Sequence, residues 1–136
     1  MLLDGKNIFL LEDDPVNYSV ILTILRQQGA TTTLDHWGDR SLRRLLLLHS
    51  LEDIDLIILD LMLPGDTSGY DVYDAIKEKP QLSHIPVIVV SAADPDVEIP
   101  KVKAKGMQGF IGKPIDRRDF PAKLAQIIEG EQIWGD

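Results

Sequence analysis

A chain of 136 residues with a formal net charge of −8 is one domain, long enough to bury roughly two-thirds of its unfolded surface. Its acidity repels phosphate backbones and argues against nucleic-acid binding, and the absence of cysteine removes disulfides, thiolate metal sites and thiol nucleophiles. The chain carries no apolar run near the length of a membrane span, and no secretory cleavage pattern follows Asp4 and Lys6, so a cytoplasmic location is expected.

Asn7 to Leu11 reads as a first buried strand that stops at Glu12-Asp13-Asp14-Pro15. From Pro15 to Gln28, Val16, Val20, Ile21, Ile24 and Leu25 recur at helical spacing, with Asp14 as N-cap, Pro15 at the first helical position and Gly29 past the end. Threonine-rich Ala30 to Asp35 reads as a short strand. Gly38 to His49 reads as a helix that is apolar on more than one side. Its run Leu45 to Leu48 is compatible with a strand, but Arg43-Arg44 and the leucine content favour helix.

Leu56-Ile57-Ile58-Leu59-Asp60 is the stretch that organises the chain. Four consecutive apolar residues suit a strand buried on both faces, and a carboxylate at its end is costly unless that end opens into a site. Pro64-Gly65 stops the strand soon afterwards and leaves Asp60 at the carboxyl edge, where open parallel sheets bind ligands. Ser68 to Lys77 follows as a helix with Val72, Tyr73 and Ile76 on one face, ended by Lys79-Pro80. Pro86 to Ser91 reads as a fourth buried strand closing on a hydroxyl. Asp96 to Lys105 is a poorer helix that contains Pro100 and is closed by Gly106, and Met107 to Gly112 is a short fifth strand running into Lys113-Pro114. Phe120, Leu124, Ile127 and Ile128 mark a last amphipathic helix, after which residues 130–136 read as a polar tail.

Strands alternating with helices imply right-handed crossovers and one α/β domain, with a core over about residues 6–129 and a five-stranded parallel sheet covered by helices on both faces. The carboxyl edge of such a sheet gathers Glu12, Asp13, Asp60, Ser91 and Lys113. Acidic oxygens packed together need a compensating cation, and hard ligands of this type suit Mg2+ with retained waters. A lysine and a hydroxyl beside them suit an added anion. A carboxylate can attack phosphorus while metal and lysine neutralise the transferring group, and Asp60 is the acid placed to do so.

This pattern resembles the response regulator receiver domain of two-component signalling, over about Lys6 to Ile128. The resemblance rests on Glu12-Asp13 after the first strand, Asp60 in Leu-Asp-Leu-Met-Leu-Pro-Gly, Ser91-Ala92 after the fourth strand and Lys113-Pro114 after the fifth. It implies a flavodoxin-like sheet of strand order 2-1-3-4-5. It further implies that Asp60 accepts a phosphoryl group from a sensor histidine kinase or phosphotransfer protein. Mg2+ would be bound by Asp13, Asp60 and the Met62 main-chain carbonyl, with Glu12 reaching it through water. Lys113 would pair with phosphoryl oxygens and Ser91 would hydrogen-bond one of them. Phe110, three residues before the lysine, stands at the family's switch aromatic, whose ring should turn inward as Ser91 moves.

Two departures qualify the transfer. The loop from Leu63 to Gly69 is one residue longer than the common family form, so a local bulge is expected there. Met62 and Ala93, two residues past Asp60 and Ser91, carry no charge to position a hydrolytic water, which implies a long-lived acyl phosphate.

Plainer readings exist for each residue. Glu12 and Asp13 sit where acids favour a helix start, though Asp14 suits that role better. Ser91 can cap a turn, Lys113 can be a solvated lysine and Phe110 can be core. His36, His49 and His84 lack metal-ligand spacing and read as structural. A signalling phosphoacceptor whose phosphorylation switches partner binding, a phosphorylation-dependent dimer among the partners considered, accounts for the whole set; it is not a turnover enzyme. A haloacid-dehalogenase-like phosphatase requires an aspartate where Met62 stands, and a non-phosphorylated docking module requires lost site residues. Leu45 to Leu48, the lysines Lys101, Lys103 and Lys105, and Ile133-Trp134 are candidate partner surfaces, with core leucines and solvated lysines as their ordinary reading.

Overall fold

The computed structural model describes residues 1–63, 65 and 67–135. Its strands are β1 (Asn7–Leu11), β2 (Thr31–Asp35), β3 (Leu56–Leu59), β4 (Val87–Ser91), β5 (Gly109–Gly112) and β6 (Ile133–Gly135). Its helices are α1 (Pro15–Gln27), α2 (Ser41–Leu51), α3 (Gly69–Lys77), α4 (Pro95–Lys105) and α5 (Phe120–Ile128). All strand pairs are parallel, in the order β2-β1-β3-β4-β5-β6.

The sheet divides the core in two because side chains alternate faces along each strand. Phe9, Leu11, Ile57, Leu59, Val87, Val89 and Phe110 pack with residues of α2, α3 and α4. Ile8, Leu10, Leu56, Ile58, Ile88, Val90 and Ile111 pack with α1 and α5. Burying a side chain of this size contributes about 1.5–3 kcal/mol, so the apolar runs of β3 and β4 fix the sheet's centre. Leu3, placed ahead of the expected core, is also buried, and its amide donates to the Gln28 carbonyl (3.1 Å).

Local signals set the helix boundaries. The Asp14 side chain accepts from the Val16 amide (3.0 Å), with Pro15 opening α1. Ser68 and Asp71 form a reciprocal capping box at α3. Asp94 caps α4, Pro100 is accommodated inside that helix, and Gly106 closes it at φ 97°.

One expectation is corrected. The sheet has six strands, because residues 133–135 of the expected polar tail pair with β5. The chain leaves α5 through Gly130 at φ 107°, a left-handed turn that suits glycine, and returns along the β5 edge. Three residues are too few to show a period, so only the long-range pairing reveals this strand. The loop after Asp60 forms an isolated antiparallel bridge between Met62 and Ser68. Pro64 and Asp66 of that loop, and with them the strand stop at Pro64 and the expected bulge, lie outside the described residues.

Candidate functional site

Register brings the strand ends together. Leu11 lies opposite Asp35 on one side and Leu59 on the other, so Glu12, His36 and Asp60 leave the sheet side by side. Ser91 pairs with Gly112, and the next residue is Lys113, whose amide donates to the Ser91 carbonyl (3.0 Å). Glu12, Asp13, Asp14, Asn17, Asp60, Met62, Leu63, Ala92 and Lys113 line a cleft of about 440 Å³ at this edge.

Lys113 holds the charges together. Its Nζ donates to Asp60 Oδ2 (2.8 Å) and to Glu12 Oε2 (2.9 Å), and all three side chains are largely buried. The other Asp60 oxygen, Oδ1, accepts from the Met62 amide (3.0 Å), and Glu12 Oε1 accepts from the Asp14 amide (3.2 Å). Burial pushes the Glu12 carboxyl above its usual value against the pull of the Lys113 ammonium. Burial alone would lower Lys113, but the hydrogen bonds and charges of Asp60 and Glu12 outweigh it and raise its pKa above 10.5. The lysine is therefore charged at neutral pH, and one cation faces the carboxylates of Glu12, Asp13 and Asp60.

Asp13 differs from its neighbours. Its carboxylate is half exposed, and His36 Nδ1 lies 3.7 Å from its Oδ1. The same ring nitrogen makes a 3.0 Å hydrogen bond to the Glu12 carbonyl, which as an acceptor assigns the proton to Nδ1. His36 thus borders the site, as does Asn17, whose Nδ2 donates to Asp14 Oδ2 (3.2 Å). Sequence reasoning read His36 as structural and did not single out Asn17. A residue four past Asp13 and one helical turn away was the available signal for Asn17, whereas His36 depends on the β1–β2 register.

The donor set fits a hard cation. Among the described residues no three His, Asp or Glu side chains enclose an ion by themselves, and no backbone donor takes the Met62 carbonyl. An accessible Asp13 carboxylate, one Asp60 oxygen and the Met62 main-chain carbonyl, which no described backbone donor takes, are oxygen donors of the kind with which proteins hold Mg2+ alongside retained waters.

Ser91 and Phe110 lie on the α4 side of the sheet. Ser91 is fully buried and its Oγ accepts from the Ala93 amide (3.2 Å). Phe110 pairs with Val89, two residues before Ser91 on the same face. The Phe110 ring is already fully buried, so the inward position expected of it on switching is occupied in this structure. Met62 lines the cleft and is 65% exposed, whereas Ala93 packs against the core and leaves the lining position to Ala92.

Lys105 pairs with Asp74 (2.9 Å), Lys101 with Glu98 (3.9 Å), and Lys103 lies 5.1 Å from the Trp134 ring centre. Leu45 of α2 is buried in the core, whereas Leu47 on the same helix is exposed. His49 Nδ1 accepts from the Ile54 amide (3.0 Å), and its ring meets that of His84 edge-on.

Comparison with known proteins agrees with this arrangement. The sequence profile of the response regulator receiver domain matches residues 8–125. The chain is 31% identical over 121 residues to the two-component response regulator ORR6 of Oryza sativa subsp. japonica, covering 89% of this chain and 70% of that protein. The receiver domain of sensor histidine kinase PA1611 from Pseudomonas aeruginosa PAO1, solved with a magnesium ion coordinated in its active-site cleft, is 28% identical, with a TM-score of 0.76 covering 93% of this chain and 99% of that one. The signal receiver domain of a histidine kinase from Syntrophus aciditrophicus is 26% identical, with a TM-score of 0.73 covering 93% and 92%.

Proposed function

The chain belongs to the response regulator receiver domain family, and on that premise we propose that Asp60 is its phosphoacceptor, taking a phosphoryl group from a histidine kinase or phosphotransfer protein. The observation that carries this reading is the Lys113 ammonium bridging Glu12 and Asp60 in an open cleft. A bond forms between an Asp60 carboxylate oxygen and phosphorus as the phosphorus–nitrogen bond of the donor histidine breaks, and the leaving imidazole takes up a proton. Lys113 is placed to follow the charge from the carboxylate onto the phosphoryl oxygens, and the Met62 amide holds Oδ1 so that Oδ2 presents to the donor. The Ser91 hydroxyl, freed from the Ala93 amide, then donates to a phosphoryl oxygen. Asp13, Asp60 and the Met62 carbonyl are the residues for Mg2+, which supplies charge neutralisation when bound.

Incubation with acetyl phosphate and Mg2+ tests this reading: a mass gain of one phosphoryl group that Asp60→Asn abolishes is expected. No gain from acetyl phosphate or a histidine kinase would favour a docking-only role. Continuous turnover of a phosphate ester would favour a phosphatase, a reading that Met62 opposes because it offers no second carboxylate. Met62 and the packed Ala93 position no hydrolytic water, so the acyl phosphate should last well beyond seconds in Mg2+.

A further inference from the structure

Trp134 lies directly opposite Phe110 in the β5–β6 pairing, so both side chains emerge on the α4 face. Phe110 in turn pairs with Val89, and Ser91 follows two residues on with its side chain on that face. Ser91, Phe110 and Trp134 therefore share one face across three strands, Phe110 and Trp134 directly paired and Ser91 diagonal to Phe110, from the phosphoacceptor edge to the outermost strand.

We propose that Trp134 is a positioning residue for phosphorylation at Asp60: the strand Ile133–Gly135 is a strap that, when docked, holds Phe110 inward, and docking and phosphorylation favour each other. This rests on the reading of Asp60 as phosphoacceptor and of Ser91 and Phe110 as its switch pair.

Several features build the strap into the fold. Lys103 of α4 reaches over the Trp134 ring, the ring packs against the core cluster that contains Phe110, and the Ile133 amide donates to the Gln108 carbonyl (3.2 Å). β5 opens with Gly109, where an added Cβ would meet the Ile133 carbonyl oxygen at 2.9 Å. The glycine is thus the room into which the strap's backbone fits. The strap is also easily released. It is three residues long, lies at the sheet's edge and leaves Trp134 partly exposed, the character of a segment that opens locally at small free-energy cost.

Coupling follows from sterics. Phe110 and Trp134 are directly paired on the α4 face, and Trp134 packs against the cluster that holds Phe110, so an outward turn of the Phe110 ring meets the docked strap. A phosphoryl group that draws Ser91 towards the cleft leaves more room for the ring inside and so favours the docked strap. By linkage the docked strap favours the phosphorylated form to the same degree.

The test uses the full chain with beryllium fluoride and Mg2+ as a phosphoryl mimic, and hydrogen exchange at the Ile133 and Trp134 amides. Protection is expected to rise about tenfold when the mimic binds, a typical coupling between sites. Trp134→Ala should raise about tenfold the acetyl phosphate concentration needed for half-phosphorylation, Trp134→Phe should restore it, and Gly109→Ala should reproduce the deficit by displacing the Ile133 carbonyl. Bound mimic with unchanged exchange at Ile133, or Trp134→Ala phosphorylated like the parent, overturns the strap alone. A parent chain that takes neither mimic nor phosphoryl group at Asp60 overturns the phosphoacceptor reading and the strap with it.

Discussion

Lys113 Nζ donates to Asp60 Oδ2 across 2.8 Å, joining residues 53 positions apart in the chain. The contact sets a positive charge against the acid at the end of the central strand. Removing the lysine strands two buried carboxylates. Lys113→Ala should cost about 3 kcal/mol of stability, the scale for breaking a buried ion pair, and Mg2+ should return part of it. Urea unfolding with and without Mg2+ measures both effects, and an unchanged midpoint would contradict the pairing.

Alkaline pH should undo the same contact. The Lys113 pKa is raised in the fold, so its stabilisation is complete below the unfolded value of 10.5. It begins to fall as pH rises past that value and is gone above the folded pKa. Tyr70 and Tyr73, also raised by burial first, lose stability in the alkaline range as well. The difference in unfolding free energy between the parent and Lys113→Met isolates the lysine on the alkaline side: the parent's advantage should shrink above pH 10.5.

Asp13 has no short ion pair to lose and should reveal the cation site. Asp13→Asn should leave stability without Mg2+ within about 0.5 kcal/mol of the parent, as for a half-exposed group. The parent should gain about 1.4 kcal/mol at a Mg2+ concentration ten times its dissociation constant, and the variant much less at that concentration. Thermal unfolding across a Mg2+ titration reads this, and equal gains in the two chains would remove Asp13 from the metal site.

Gly69 supports Asp60 from below. A Cβ there would lie 2.4 Å from the Asp60 carbonyl oxygen and 2.9 Å from the Leu61 Cα, backbone atoms that cannot yield without moving the site. Gly69→Ala should destabilise the chain by about 1–3 kcal/mol through overpacking and slow phosphorylation by acetyl phosphate. Parent-like rates and stability would mean that the Asp60 backbone has slack.

Much of the site was legible because its chemistry sits at strand ends that announce themselves. Asp60 follows four apolar residues, Ser91 ends a β-branched run, and Lys113 precedes a proline, so each could be placed on one edge before any contact was known. The helix ends at Asp14 and Gly106 were equally local. His36 was hidden because its place beside Asp13 depends on pairing between β1 and β2, and the turn after β4 that brings Ala92 to the cleft carries no local signal. β6 escaped notice since Ile-Trp-Gly is too short for a pattern and reads as a polar tail.

By itself the sequence determined the alternation of strands and helices, the two-sided burial of the central strands and the identity of the charged groups at their carboxyl ends, because these follow from periodicity, capping and the cost of burying a carboxylate. Only the tertiary structure decided that one ammonium bridges Glu12 and Asp60, that Phe110 already lies inward and that Trp134 closes the β5 edge beside it. These are contacts between residues far apart in the chain. Their geometry is set by sheet register and packing, which no local pattern encodes.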